Sequence, residues 1–97
     1  MATYLMLANF TDQGIRNVKD TVKRAEAFKG AAKKVGATVK EQYWTLGQYD
    51  GALIIEAPDD ETMTSLALSL GMLGNVRTQV LRAFTATEIG PILGRTP

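Results

Sequence analysis

Apolar and polar positions along this chain follow two periods, and the switches between them mark six principal elements. Thr3 to Asn9 (TYLMLAN) is a short, nearly continuous apolar run, the pattern of a strand buried on both faces, with Leu5 and Leu7 on one side and Tyr4, Met6 and Ala8 on the other. Thr11 and Asp12 stop it and supply a helix cap. Ile15, Val18, Val22, Ala25, Phe28, Ala32 and Val35 then recur at steps of three and four, one stripe of a helix. Gly14 and the Thr21-Val22 pair weaken its first half, which predicts a first turn near residues 12–18 and a main helix from about Asp20. Gly36 is its C-terminal stop.

Period two returns from Thr38 to Leu46, where Val39, Glu41, Tyr43 and Thr45 alternate with Lys40, Gln42, Trp44 and Leu46. Gly47-Gln48 reads as a tight turn, and a third strand runs from Tyr49 to about Ala57, with Leu53, Ile55 and Ala57 toward the helices and Asp50, Ala52, Ile54 and Glu56 opposite. Pro58 ends it. Asp59, Asp60 and Glu61 suit the positive end of a helix dipole and start a second helix on Met63, Leu66, Ala67, Leu70 and Leu73. Leu68 and Met72 make its second half apolar nearly all round, a surface that must be buried or covered by another chain. Asn75 to Thr85 is a fourth strand. Thr85-Ala86-Thr87-Glu88 has capping-box spacing ahead of a short apolar turn, Ile89, Ile92 and Leu93, that Gly90 and Pro91 restrict.

The order β-α-β-β-α-β predicts an α+β, ferredoxin-like sandwich: a four-stranded antiparallel sheet with two helices on one face, in a single domain over residues 1–97 with a core of about 3–86 and a tail of 87–97. The other sheet face is left open, with Tyr4, Met6, Ala52, Ile54, Trp44 and Leu81 expected on it. Such a patch calls for a second sheet about 10 Å away, hence a symmetric homodimer, with higher assembly through the apolar second helix.

Composition narrows the chemistry. The chain has 97 residues, 45% hydrophobic and 22% charged, an ordinary globular balance that leaves room for one core burying roughly 60–65% of the unfolded surface. Eleven basic against ten acidic residues give a net charge of +1, too even for a dedicated nucleic-acid binder. No histidine and no cysteine occurs, which excludes disulfide scaffolds, thiolate nucleophiles, Cys/His metal sites and histidine bases, so no metal and no cofactor is expected. No apolar run approaches the ~20 residues of a membrane span, and MATYLMLANF lacks a basic leader, so a cytoplasmic protein is expected.

Gly47-Gln48-Tyr49-Asp50 resembles the signature of the GYD domain family. Tyr43-Trp44-Thr45-Leu46, Glu56-Ala57-Pro58-Asp59, Tyr4 to Asn9 with Phe10-Thr11-Asp12-Gln13-Gly14-Ile15, and Leu73-Gly74-Asn75-Val76-Arg77-Thr78 are similar to the family too, so the resemblance spans roughly residues 3–88. It implies the dimeric α+β barrel architecture and carries over no catalytic residue. Gly51 stands where a β-branched strand residue would look more natural.

Five side chains are candidate ligand contacts. Asp50 is a carboxylate for base or anchor work at a barrel mouth, or an Asp that closes a hairpin on backbone amides. Glu56, amid ALIIEAP, is a buried acid of raised pKa, or a carboxylate paired with an Arg of a neighbouring strand or subunit, or a rim residue in water. Arg77 and Arg82 lie on opposite faces of the last strand; periodicity turns Arg77 toward the open face, as an anion clamp or as a rim or inter-subunit salt bridge. Tyr4 and Trp44, with Tyr43 and Tyr49, line a pocket or anchor a core and interface. Two functions stay open: a homo-oligomeric structural or small-ligand-binding module, and a cofactor-independent enzyme, monooxygenase- or isomerase-like, using a cavity between paired sheets.

Overall fold

A computed structural model of the chain describes residues Met1 to Pro97. Strand β1 (Ala2–Phe10) leads into a single helical turn α1 (Asp12–Arg16), a 3-10 turn over Val18–Asp20 and helix α2 (Thr21–Lys34); β2 (Thr38–Trp44), β3 (Gly51–Ala57), α3 (Asp60–Met72), β4 (Val76–Ala83) and α4 (Ala86–Gly94) follow. The kinked helix start is the one that Gly14 and Thr21-Val22 predict. Gly36 takes φ 81°, which returns the chain into β2 after α2.

The sheet is antiparallel in the order β2-β3-β1-β4, so the first strand sits in the interior with β3 on one side and β4 on the other. The α+β ferredoxin-like sandwich is the observed fold, as an open sheet of four strands. Both helices cover one face: Phe28 and Ala32 of α2 and Met63 and Leu66 of α3 share one buried cluster with Tyr4, Met6, Leu53, Ile55 and Ala57.

That cluster corrects one expectation. Tyr4 and Met6 face the helices, not the open side. Directly opposed residues of antiparallel strands project to one face, and the register sets Met6 against Leu53 and Tyr4 against Ile55. Leu53 and Ile55 sit under the helices, so their partners do too, and Leu5 and Leu7 take the open side. A second correction concerns β2. The register slips between Val39 and Glu41, leaving Lys40 as a bulge, so Val39 stays with the helix-side Ile55 while Glu41 opposes the outward Ile54. Downstream parity reverses, and Gln42 and Trp44 turn toward the helices. The link from β2 to β3 is also longer than a two-residue turn: the Thr45 amide donates to the Asp50 carbonyl at 3.0 Å and the Thr45 hydroxyl to the Tyr49 carbonyl at 2.6 Å, enclosing Gly47 at φ 122°.

The helix ends follow the sequence. Asp59 caps α3 by accepting from the Thr62 amide at 2.8 Å, and the hydrogen bonds from Thr62 hold its carboxyl below the ordinary range. Thr85 and Glu88 form the complete capping box of α4, which lowers the Glu88 pKa. Pro91 falls inside α4, and the helix continues through it for nine residues, longer than the single turn expected. It buries no residue, and Leu68 and Met72 on the outer side of α3 are 65% and 85% exposed.

Tyr4 closes the core near the start of α3. Its hydroxyl donates to Asp60 Oδ1 at 2.5 Å, and Arg82 lies over its ring with the guanidinium carbon 5.6 Å from the centroid. Burial, reinforced by the hydrogen bond to Asp60 and that carboxylate's charge, pushes the Tyr4 pKa up to about 12. The neutral phenol is therefore the form the fold favours. Its contribution is complete below pH 10, the value of an unfolded tyrosine, and is lost as pH rises toward 12. Urea denaturation of the wild type at pH 9 and pH 11.5 should show an alkaline loss on the order of 1–2 kcal/mol that Tyr4→Phe lacks, with Tyr4→Phe itself about 1 kcal/mol less stable at pH 7. An equal alkaline loss in both proteins would remove Tyr4 as its source.

Candidate functional site

Three of the stretches that carry the family resemblance are far apart in sequence and meet at one end of the sheet. Asp50, the last residue of GQYD, accepts the Phe10 amide on Oδ2 at 2.8 Å, and its own amide donates to the Ala8 carbonyl at 2.9 Å. The Asn9 amide nitrogen, in the orientation that satisfies it, lies 2.9 Å from the Gln48 carbonyl. The β2–β3 loop is thus fastened to the last residues of β1. On the far side, Thr11 joins the α3–β4 connection: its amide donates to the Asn75 carbonyl at 3.1 Å and its hydroxyl to the Gly74 carbonyl at 2.5 Å, while the same hydroxyl oxygen accepts from the Gly14 amide at 3.1 Å. Gln13 Nε2 adds bonds of 3.0 Å to the Leu73 carbonyl and to Asn75 Oδ1. Gly14 is demanded by proximity, because a Cβ there would lie 1.9 Å from the Asn75 carbonyl oxygen.

Beside this junction a partly enclosed cavity of about 190 Å³ opens between the helices and the sheet. Its floor is shallow for a reason visible in the register. Met6 and Leu53 fill the space under the helices, but the next inward-facing pair toward the junction is Ala8 opposite Gly51. The α2 face above presents Ala25, Ala27 and Ala31 around Phe28. Trp44, opposite Gly51 on β2, stands at the wall, its indole Nε1 donating to Thr21 Oγ1 at 3.0 Å. Arg24 is held at the lip, donating to the Asn17 carbonyl at 2.8 Å.

The five candidate side chains do not converge. Asp50 and Trp44 border this helix-side cavity, and Asp50 commits one carboxylate oxygen, Oδ2, to the Phe10 amide. Tyr4 is in the core. Glu56 pairs with Lys40 at 3.7 Å and is 38% exposed, a solvated ion pair. Arg77 is on the open face, as its period implies, opposite Asn9. Glu56 opposes Thr3, six residues along β1, so the two charges are roughly 20 Å apart at ~3.4 Å per residue. Sequence reasoning missed Gln42 and Ala8; the small residues at Ala8 and Gly51 were the available signal, legible only with the register known.

The open face is a separate surface. Leu5, Leu7, Ala52, Ile54 and Leu81 form its centre by register, and α4 does not shield it, since Ile54 and Leu81 stay 37% and 41% exposed. Its rim is polar. The Tyr43 hydroxyl donates to Glu41 Oε2 at 3.2 Å, and the carboxylate's charge raises the Tyr43 pKa; the Tyr49 hydroxyl donates to Gln79 Oε1 at 3.1 Å.

Residues 4–93 match the family model described as the GYD domain. The chain belongs to the GYD domain family. A GYD relative in Thermus thermophilus, named glutamine synthetase and cystathionine beta-lyase binding protein, is 31% identical over 90 residues, which covers 92% of this chain and 95% of the relative. The crystal structure of TTHA0845 from Thermus thermophilus is similar with a TM-score of 0.58 at 25% identity, over 89% of this chain and 96% of that one. The crystal structure of MtbAldR reaches a TM-score of 0.65 at 13% identity, over 87% of this chain and 52% of its own, and shows the fold alone.

In this GYD chain the junction assigns Asp50 a measurable structural load. Asp50→Ala leaves the Phe10 amide without its acceptor and should cost about 1–3 kcal/mol in urea denaturation, whereas Asp50→Asn keeps an oxygen there and should recover most of that loss. Glu56→Gln, breaking only a solvated pair, should stay within about 0.5 kcal/mol of wild type.

Proposed function

We propose that this GYD protein is a single-domain, non-catalytic binding module that works as a homo-oligomer, in which the open sheet faces of two copies pack together and other surfaces remain available to further proteins. The observation that carries this reading is the aliphatic centre of the open face, Leu5, Leu7, Ala52, Ile54 and Leu81, with a rim of Glu41, Tyr43, Gln79 and Arg77. An apolar centre inside a polar rim is the anatomy of a protein interface. Size supports a second copy as the occupant. The core holds only twelve buried hydrophobic residues, and a chain of 97 residues gains from a partner sheet that completes a two-layer sandwich. The relative named for binding two enzymes supports a role exerted through protein contact. On this reading Leu68 and Met72 of α3 and the exposed stripe of α4 are free for a client. The ties of Asp50 to backbone and Glu56 to Lys40 favour this over an acid–base enzyme.

Light scattering coupled to size exclusion tests it. The wild type should elute at twice the 10.5 kDa chain mass or a higher multiple at micromolar concentration. Ile54→Arg, on the open face, should give a folded monomer, while Leu68→Arg, on the outer face of α3, should leave the dimer intact. A wild-type monomer, or a dimer untouched by Ile54→Arg, would overturn the reading.

A further inference from the structure

We propose that the cavity between α2, α3 and the sheet is a binding site for a small, mostly apolar, single-ring molecule carrying one polar group, which the Gln42 side-chain amide recognises. This site lies on the helix side of the sheet, so it stands whether or not two copies pair through the open face.

Size comes first. At about 190 Å³ the cavity is of the order of the ~150 Å³ space that holds one benzene-sized ring in a protein core. The character of the wall comes second. Phe10, Phe28 and Trp44 border it, with aliphatic Leu53, Leu70 and Val76, so a flat apolar body meets ring faces and edges. The polar complement comes third. Trp44 Nε1 is already spent on Thr21, Asp50 Oδ2 on the Phe10 amide, and Arg24 on backbone carbonyls. The Gln42 side chain borders the cavity and bonds to no group of the chain; its Oε1 is packed against protein, out of reach of water and without a partner, so it meets a bound molecule only after a turn about the last side-chain torsion. A buried amide oxygen in that state is costly. Rotation about the last side-chain torsion exchanges Oε1 and Nε2, so the same residue can offer an acceptor or a donor to a bound molecule. One apolar ring plus one hydroxyl or N–H is the chemistry that completes this arrangement.

Gly51 is what keeps the site open. A Cβ built on Gly51 meets only the Tyr43 carbonyl oxygen at 3.4 Å and the Ala8 Cβ at 3.9 Å, ordinary contacts, and its backbone is not left-handed. A larger, β-branched residue would fit the strand and occupy the cavity floor. Glycine there costs strand stability and contributes empty space instead.

Phenol and toluene, matched in size and differing in one hydroxyl, test the proposal. The chain has a single tryptophan, Trp44 at the wall, so its indole N–H and the Gln42 amide give site-specific resonances in 1H–15N spectra. Phenol should shift both saturably, with the millimolar affinity expected of about seven heavy atoms, and should bind roughly tenfold tighter than toluene. Gln42→Leu should reduce that preference to within about twofold. Gly51→Val should melt at or above the wild-type temperature and lose the response to both probes. No saturable shift of the Trp44 indole with either probe, or undiminished binding by folded Gly51→Val, would overturn the site. Equal affinity for phenol and toluene in the wild type would overturn the role of Gln42.

Discussion

The pairing of β1 between β3 and β4 is the constraint on which the other features rest. β1 is apolar on both faces, so either face satisfies its own hydrophobic demand. Its neighbours decide. Once Met6 stands opposite Leu53 and Val80, and Tyr4 opposite Ile55, a single choice of face follows for three strands at once. That choice places Tyr4 under α3 where Asp60 can accept a hydrogen bond from its hydroxyl, sends Leu5 and Leu7 to the uncovered side, and sets Ala8 beside Gly51 beneath α2. A slip of one residue would exchange core and surface along the strand.

The end of β1 is correspondingly well secured. Asp50 holds it from the β2–β3 loop, and Thr11 and Gln13, just past its end, tie it to the carbonyls of the α3–β4 connection. Backbone amides and carbonyls at the sheet's end that would otherwise need water are satisfied by side chains from remote parts of the chain. The residues that look like a family signature therefore act first as a fastening for the fold. Two further surfaces lie beside the fastening: an aliphatic sheet face on one side of β1 and a small aromatic-walled cavity on the other.

Most of the architecture was legible without coordinates. Stripes at steps of three and four marked both long helices, Asp59 and the Thr85–Glu88 box marked helix starts, and the element order led to the ferredoxin-like sheet. Legibility stopped where the pattern was degenerate or non-local. The bulge at Lys40 reversed the parity of β2, because a single extra residue leaves no mark in a run as mixed as VKEQYW. Asp50 and Glu56 both read as candidate acids, and only their partners, the Phe10 amide and the Lys40 ammonium, showed how each carboxylate is used.

The sequence by itself determined what depends on neighbours within a turn or two: strand and helix type, caps, the kink at the start of α2, and the absence of histidine and thiol chemistry. Tertiary structure alone decided which face of β1 is core, where Trp44 points, and that Ala8, Gly51 and the alanines of α2 leave a cavity between them. The physical reason is that local periodicity reports how many sides of an element are apolar, whereas burial, register and empty space are set by side chains that arrive from distant parts of the chain.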